Sequence, residues 1–206
     1  MTDASRRSPI VAHGPLPADE ANPMRMPETN WTWTLDELQR LPDDGNRYEL
    51  VYGDLFVTPA PSVAHERLAS ELTRILVPYV SAEQLGRVYH PRAVIQALGS
   101  QTEPDLLVRP EPVQIPESWA EMPRPSLVVE ILSDSTRRRD SGKKRAFYED
   151  LGIPDYWIVD GERRGIISVG PKRADLLASD VLSWHPASAM HALVIDIPEY
   201  FRAALG

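Results

Sequence analysis

Glu130 sits inside the run Ser126-Leu-Val-Val-Glu130-Ile-Leu-Ser, with large aliphatic residues on both sides. Such a run reads as a buried strand. A carboxylate within one is costly unless it is paired or bound to a metal. Asp105 repeats the situation at Glu103-Pro-Asp105-Leu-Leu-Val, where an acid opens a second apolar strand. Downstream, Asp140, Lys144, Tyr148 and Leu151 follow at spacings that share one face of a helix. Two strand carboxylates and a nearby lysine are the parts of a metal-dependent phosphodiester-cleaving site. Magnesium takes oxygen ligands, keeps several waters and needs only one or two carboxylates beside substrate phosphate. A cation so held activates water and offsets charge on the phosphodiester, while a helix lysine could position that water or neutralise the transition state. The competing reading makes both acids strand-end residues in solvent or ion pairs, and Asp140 with Lys144 a weak surface pair. Spacing alone does not separate the two readings.

Two further residues belong to this question. Glu49 lies before an apolar hairpin strand and reads equally as a third metal ligand or a polar strand residue. His65 falls in the first turn of a long helix near its apolar side, where a histidine is more often a structural hydrogen-bonding group than a site residue. The five histidines show no metal spacing, and the chain has no Gly-rich phosphate loop, His-Glu-x-x-His motif or Gly-x-Ser-x-Gly elbow.

These residues depend on a regular succession of elements. Thr34 is placed to cap a short helix ending near Leu41-Pro42. Tyr48 to Val57 reads as a hairpin about Gly53-Asp54, in a type II′ turn. Ser62 caps a longer helix carrying Leu68, Leu72, Ile75, Leu76 and Tyr79 at helical spacing. Strands are expected at 86–90, 92–98, 105–108, 127–132 and 155–160, with a helix over 140–151. A hairpin about Pro171-Lys172, a possible strand at 192–195 and a helix from Pro198 to Leu205 complete the chain. The segment from Arg109 to Pro125 holds five prolines and is a long surface loop, a candidate for function rather than simple connection.

The 206 residues suit one moderate domain over 30–206, after a disordered tail over residues 1–29. Hydrophobic content of 42% and charged content of 25% describe an ordinary globular chain, with no run long enough for a membrane span. Without a secretory pattern or any cysteine, the expected setting is cytoplasmic, although lack of cysteine fits any compartment. A net charge of −8 argues against nucleic-acid binding over the whole surface. The one dense basic run, Arg137 to Arg139 with Lys143, Lys144 and Arg145, flanks the Glu130 strand and reads equally as a phosphate-binding patch or a solvated face.

The chain resembles the Uma2 family of restriction-endonuclease-like proteins over roughly Trp33 to Asp160. The resemblance rests on Tyr48-Glu-Leu-Val-Tyr-Gly-Asp-Leu, Pro61-Ser-Val-Ala-His65 and Glu103-Pro-Asp105. Its most specific parts are Leu127-Val-Val-Glu-Ile-Leu-Ser-Asp-Ser-Thr136, then Asp140, Lys144, Tyr148 and Gly152-Ile-Pro-Asp-Tyr-Trp-Ile-Val-Asp160. It implies an α/β (α+β) fold of PD-(D/E)xK type, a mixed central sheet flanked by helices, here with an N-terminal β-hairpin. The family's metal-binding acids map to Asp105 and Glu130, for Mg2+ or Mn2+; beside them Glu49 and Ile131 are further candidate ligands, and Lys144, Glu49 and His65 further candidate catalytic residues. Leu132 stands where the usual lysine would follow the glutamate, and Lys144 takes that place from the helix. The expected activity is endonucleolytic cleavage of DNA, with a homodimer as a possible assembly. The alternative is a non-catalytic binding or regulatory module on the same fold, acting as a dimer. Under the first reading, alanine variants at Glu130 and Lys144 are expected to fold and to lose cleavage.

Overall fold

A computed structural model describes residues 32–132, 142–171 and 173–206. The expected N-terminal tail, the run Arg137 to Arg139, Asp140 and Lys172 lie outside the described residues.

Thr34 caps helix α1 (Leu35–Leu38) through a reciprocal pair with Glu37. Strands β1 (Arg47–Val51) and β2 (Asp54–Thr58) form the expected hairpin, but the turn centres on Tyr52-Gly53. Both residues have positive φ, +50° and +82°, so the turn is of the I′ type rather than II′. A second hairpin follows the same rule. The strand expected over 92–98 is only β4 (Ile95–Ala97), and it pairs back onto β5 (Ser100–Thr102) through Leu98-Gly99, again both at positive φ. Leucine in that conformation gives no sequence signal, which is why β5 went unforeseen.

These four strands form one sheet in the order β2-β1-β5-β4. The central sheet has six strands, β10-β9-β8-β7-β6-β3. They are β3 (Arg87–Tyr89), β6 (Leu106–Arg109), β7 (Leu127–Ile131), β8 (Asp155–Asp160), β9 (Gly165–Val169) and β10 (Leu176–Ala178). Among the described residues only β7 and β8 are parallel, joined by a crossover carrying helix α3 (Lys143–Asp150); the other pairs are antiparallel, so the sheet is mixed. Two short strands, β11 (Val181–Trp184) and β12 (Leu193–Asp196), make a separate ribbon. β11 was not expected from the sequence.

Alternation along the central strands divides the core into two layers. Leu127, Val129 and Ile131 of β7, with Leu106 and Val108 of β6, face one cluster. There they meet Leu68, Leu72 and Leu76 of helix α2 (Val63–Ala82) and Tyr200 and Phe201 of helix α4 (Ile197–Leu205). The Tyr200 hydroxyl donates to Leu68 O at 2.9 Å and ties the two helices. On the opposite face, Val128 and Leu107 pack with Phe147, Tyr148 and Leu151 of the α3 segment. Any polar residue alternating with Val128 and Leu107 must therefore sit between the sheet and α3.

Candidate active site

Glu130 and Asp105 occupy that second face. The antiparallel register sets Leu106 opposite Val129 and Leu107 opposite Val128. Continued by one step, it puts Asp105 across from Glu130, at the spacing of directly facing strand residues. The two acids foreseen separately thus become neighbours. A backbone bond holds the arrangement: Ile131 N–H donates to Asp105 Oδ2 at 2.8 Å.

β1 brings the next pair. Arg47, Glu49 and Val51 alternate onto one face, and Val51 belongs to the α3-side cluster. Arg47 Nη1 donates to Asp105 Oδ1 at 2.9 Å and to Glu103 O at 3.0 Å. Glu49 Oε1 lies 2.7 Å from Lys144 Nζ and accepts from Glu103 N–H at 2.9 Å. On α3, Lys144, Phe147, Tyr148 and Leu151 share the buried face. Lys144 Nζ donates to Glu130 Oε1 at 2.7 Å, and the Tyr148 hydroxyl donates to the same oxygen at 2.8 Å. Lys144 is 0% exposed, so the expected alternative of a surface Asp140–Lys144 pair does not describe it.

His65 enters from the first turn of α2, whose cap, Ser62, accepts from His65 N–H. Its Nε2 lies 3.1 Å from Asp105 Oδ2. A histidine that most often would be structural is here bonded to one of the central acids and lines the same cleft. That cleft, of about 340 Å3, is bordered by Arg47, His65, Arg92, Glu103, Asp105, Glu130 and Ile131. Glu49 and Lys144 lie behind this wall rather than on it.

The charges are sharply differentiated. Burial works to raise the Asp105 carboxyl, but the His65 hydrogen bond, the Arg47 charge and the Ile131 amide hold it well below the carboxylate range. Burial works to lower His65, yet its bond to Asp105 leaves it raised. Glu103, two residues from Asp105, goes the other way: burial and the Glu49 charge raise it despite Arg92, Arg47 and Lys144. The Tyr148 phenol is pushed well up by burial and by Glu130 and Glu49, so it stays a donor to Glu130. Two adjacent carboxyl groups pushed in opposite directions are a feature of acid–base sites.

The structure therefore brings Asp105, Glu130, Ile131, Glu49, His65 and Lys144 into one connected group. Sequence reasoning missed Arg47, Glu103 and Arg92. The signal for Arg47 was available, since it alternates with Glu49 in the same strand.

Comparison with known proteins bears on the family and the fold. A sequence model of the Uma2 family, described as "Putative restriction endonuclease", matches residues 35–183. The chain belongs to the Uma2 family. A relative, "Uncharacterized protein sll1609" of Synechocystis sp., is 29% identical over 126 residues, covering 60% of this chain and 71% of the relative. Among solved structures, a crystal structure described as a "putative nuclease belonging to DUF820" from Anabaena variabilis superposes with a TM-score of 0.64. It is 21% identical, over 84% of this chain and 99% of that one. The Uma2 chain thus has the nuclease-like fold, a mixed central sheet flanked by helices with an N-terminal β-hairpin.

Proposed function

We propose that this chain hydrolyses phosphodiester bonds of nucleic acid, DNA in the first instance, with Mg2+ or Mn2+ at the Asp105–Glu130 cleft. The observation that carries the reading is the facing of two buried carboxylates across adjacent strands, on the wall of one open cleft. The family and the fold supply the nuclease context. Among the described residues, no group of three or more acidic or histidine side chains makes a self-contained metal cage. The donor set fits a cation that keeps several waters and takes phosphate as a further ligand. A carboxylate has about four lone-pair sites, and Asp105 uses three of them on Arg47, His65 and Ile131.

Asp105 and Glu130 would hold the cation, with Ile131 beside them on the cleft wall. When bound, the cation would activate a water and offset phosphodiester charge. Glu49 joins the site through Lys144 rather than through the cleft. Lys144 fixes the Glu130 carboxylate and influences the attacking water through it, which makes it a positioning residue. Arg47 and His65 set the orientation of Asp105, and Arg92 faces incoming phosphate at the rim. A cytoplasmic setting, with nucleic acid and magnesium at hand, belongs to the same proposal.

A specific observation favours the alternative, a non-catalytic dimeric binding or regulatory module. Both acids already accept protein hydrogen bonds: Asp105 from Arg47, His65 and Ile131, and Glu130 from Lys144 and Tyr148. Calorimetry with Mg2+ and Mn2+, with and without a non-cleavable phosphorothioate oligonucleotide, separates the readings. The nuclease reading expects binding by the parent and its loss in both Asp105→Asn and Glu130→Gln. No binding under either condition favours the module; binding that survives both substitutions refutes the site assignment.

A further inference from the structure

The proline-rich segment between β6 and β7 encloses a second cavity of about 340 Å3. Tyr89, Trp119, Ile115 and Met122 line it, with Arg87 and Glu117 among its polar residues. The Tyr89 and Trp119 rings meet edge to face, with centroids 5.9 Å apart. Behind Trp119 lies Arg109, a buried guanidinium 5.7 Å from the ring centroid. Arg109 donates from Nη1 to Pro123 O at 3.0 Å and from Nη2 to Val94 O at 2.7 Å. One arginine therefore braces the aromatic wall, ties the far end of the loop to the body and anchors the segment that leads from Tyr89 to Val94.

That segment joins the two cavities. Tyr89 lines this one, while Pro91 and Arg92 line the cleft that contains Asp105 and Glu130. Three residues of chain span at most about 10 Å, so the two cavities are within reach of one short ligand. Their polarity differs. The second cavity carries Glu111 and Glu117, and Arg87 is already paired with Glu111 at 3.0 Å. Carboxylates there oppose a phosphate, whereas apolar and aromatic walls with a few donors and acceptors suit a flat, uncharged ring. The volume is at the small end of the range for ligand clefts, about 300–1,000 Å3.

The geometry points to this cavity as a subsite for one unpaired nucleobase of the strand whose phosphodiester occupies the Asp105–Glu130 cleft. It deepens the nuclease reading and rests on it. A base still paired in a duplex cannot enter, so single-stranded or locally opened nucleic acid is the substrate class. Stacking on an aromatic side chain contributes about 1–3 kcal/mol per base, which corresponds to roughly a 5- to 150-fold change in affinity.

Fluorescence anisotropy with labelled oligothymidylate, and with an abasic strand of equal length and charge, tests it in Ca2+ and again in EDTA. The parent should bind thymidylate more tightly than the abasic strand by a factor in that range. Trp119→Leu, which keeps apolar bulk in the loop, should bring the two affinities together by weakening thymidylate alone. Trp119→Phe should restore most of the difference. Ile115→Ser alters a residue that is 90% exposed, so it leaves folding intact and should also weaken only thymidylate. Arg92→Ala should weaken both strands equally, because it removes a charge from the phosphate cleft. No thymidylate preference in the parent overturns the base subsite while leaving the phosphate cleft standing. A preference unchanged in both Trp119→Leu and Ile115→Ser overturns it too, as does capture of a proline-rich peptide instead of thymidylate. Failure to bind either strand in Ca2+ and in EDTA overturns the subsite together with the nuclease reading.

Discussion

Lys144 shows how far a single residue can depart from its expected setting. It is buried with Glu49 and Glu130 on either side, each carboxylate 2.7 Å from its Nζ. Removing one member of a buried ionic group leaves an uncompensated charge and costs about 3–5 kcal/mol. Lys144→Met should therefore lower stability by about that amount in chemical denaturation, replacing the expectation that a Lys144 variant folds normally. The double variant Glu49→Gln with Lys144→Met should recover part of the loss, because one stranded carboxylate is gone. Asp105 and His65 make a second residue-scale case. The depressed Asp105 carboxyl adds stability above its ordinary value of 3.8, and this is lost as pH falls through its lower folded value. The raised His65 adds stability fully present below its ordinary 6.5, lost as pH rises through its higher folded value. Together they contribute most between those two ordinary values. Thermal melts against pH should show the parent losing stability above that window, and His65→Ala should flatten that alkaline limb.

At the scale of elements, the site depends on how strands and helices are joined. Alternation in β1 sends Arg47 and Glu49 to one face, the β6–β7 register aligns Asp105 with Glu130, and α3 returns Lys144 over Glu130. The join between α2 and β3 has little tolerance. Gly86, at φ +113°, lies so close to β6 that a Cβ there would meet Arg109 O at 1.9 Å. Backbone cannot yield as a flexible side chain can, and an added methyl in a tight site costs about 1–3 kcal/mol even without the unfavourable φ. Gly86→Ala should destabilise by at least about 2 kcal/mol, read from the denaturation midpoint. It should also disturb Arg109 and hence the proline-rich loop, visible as altered Trp119 fluorescence. Gly45→Ala is the control for backbone strain alone: its φ is also positive, +84°, but nothing lies within 4 Å of its added Cβ, so it should cost less than Gly86→Ala.

The whole molecule carries a net charge of −8, so under the proposed function a nucleic-acid strand would approach against a repulsive background. Arg47 is committed to Asp105, so under the proposed function Arg92 is the cleft-lining arginine that would meet phosphate among the described residues. A protein that neutralises one or two phosphates of a single strand should show a salt slope of about −1, shallow beside basic nucleic-acid binders. Anisotropy titrations over a range of monovalent salt should give that slope, and binding should respond more strongly to divalent cation. A much steeper slope would mean that many more phosphates are contacted than this cleft can reach.

The sequence by itself determined the element types, because their signals are local. Alternating or continuous apolar runs identified most central strands, Ser62 and Thr34 marked helix starts, and acids inside apolar runs singled out Asp105 and Glu130. It missed β5 and β11, which are only three and four residues long and take their stability from pairing with β4 and β12. It also left Glu49, His65 and Lys144 undecided, because a residue's role depends on partners distant in the chain. Arg47 reaches Asp105 from 58 positions away and His65 from 40. Periodicity can say which face of an element a residue occupies. Only the tertiary structure decides what that face meets: here it turned a lysine that could have been a surface residue into the buried cation between two carboxylates, and two separate strand acids into opposite sides of one site.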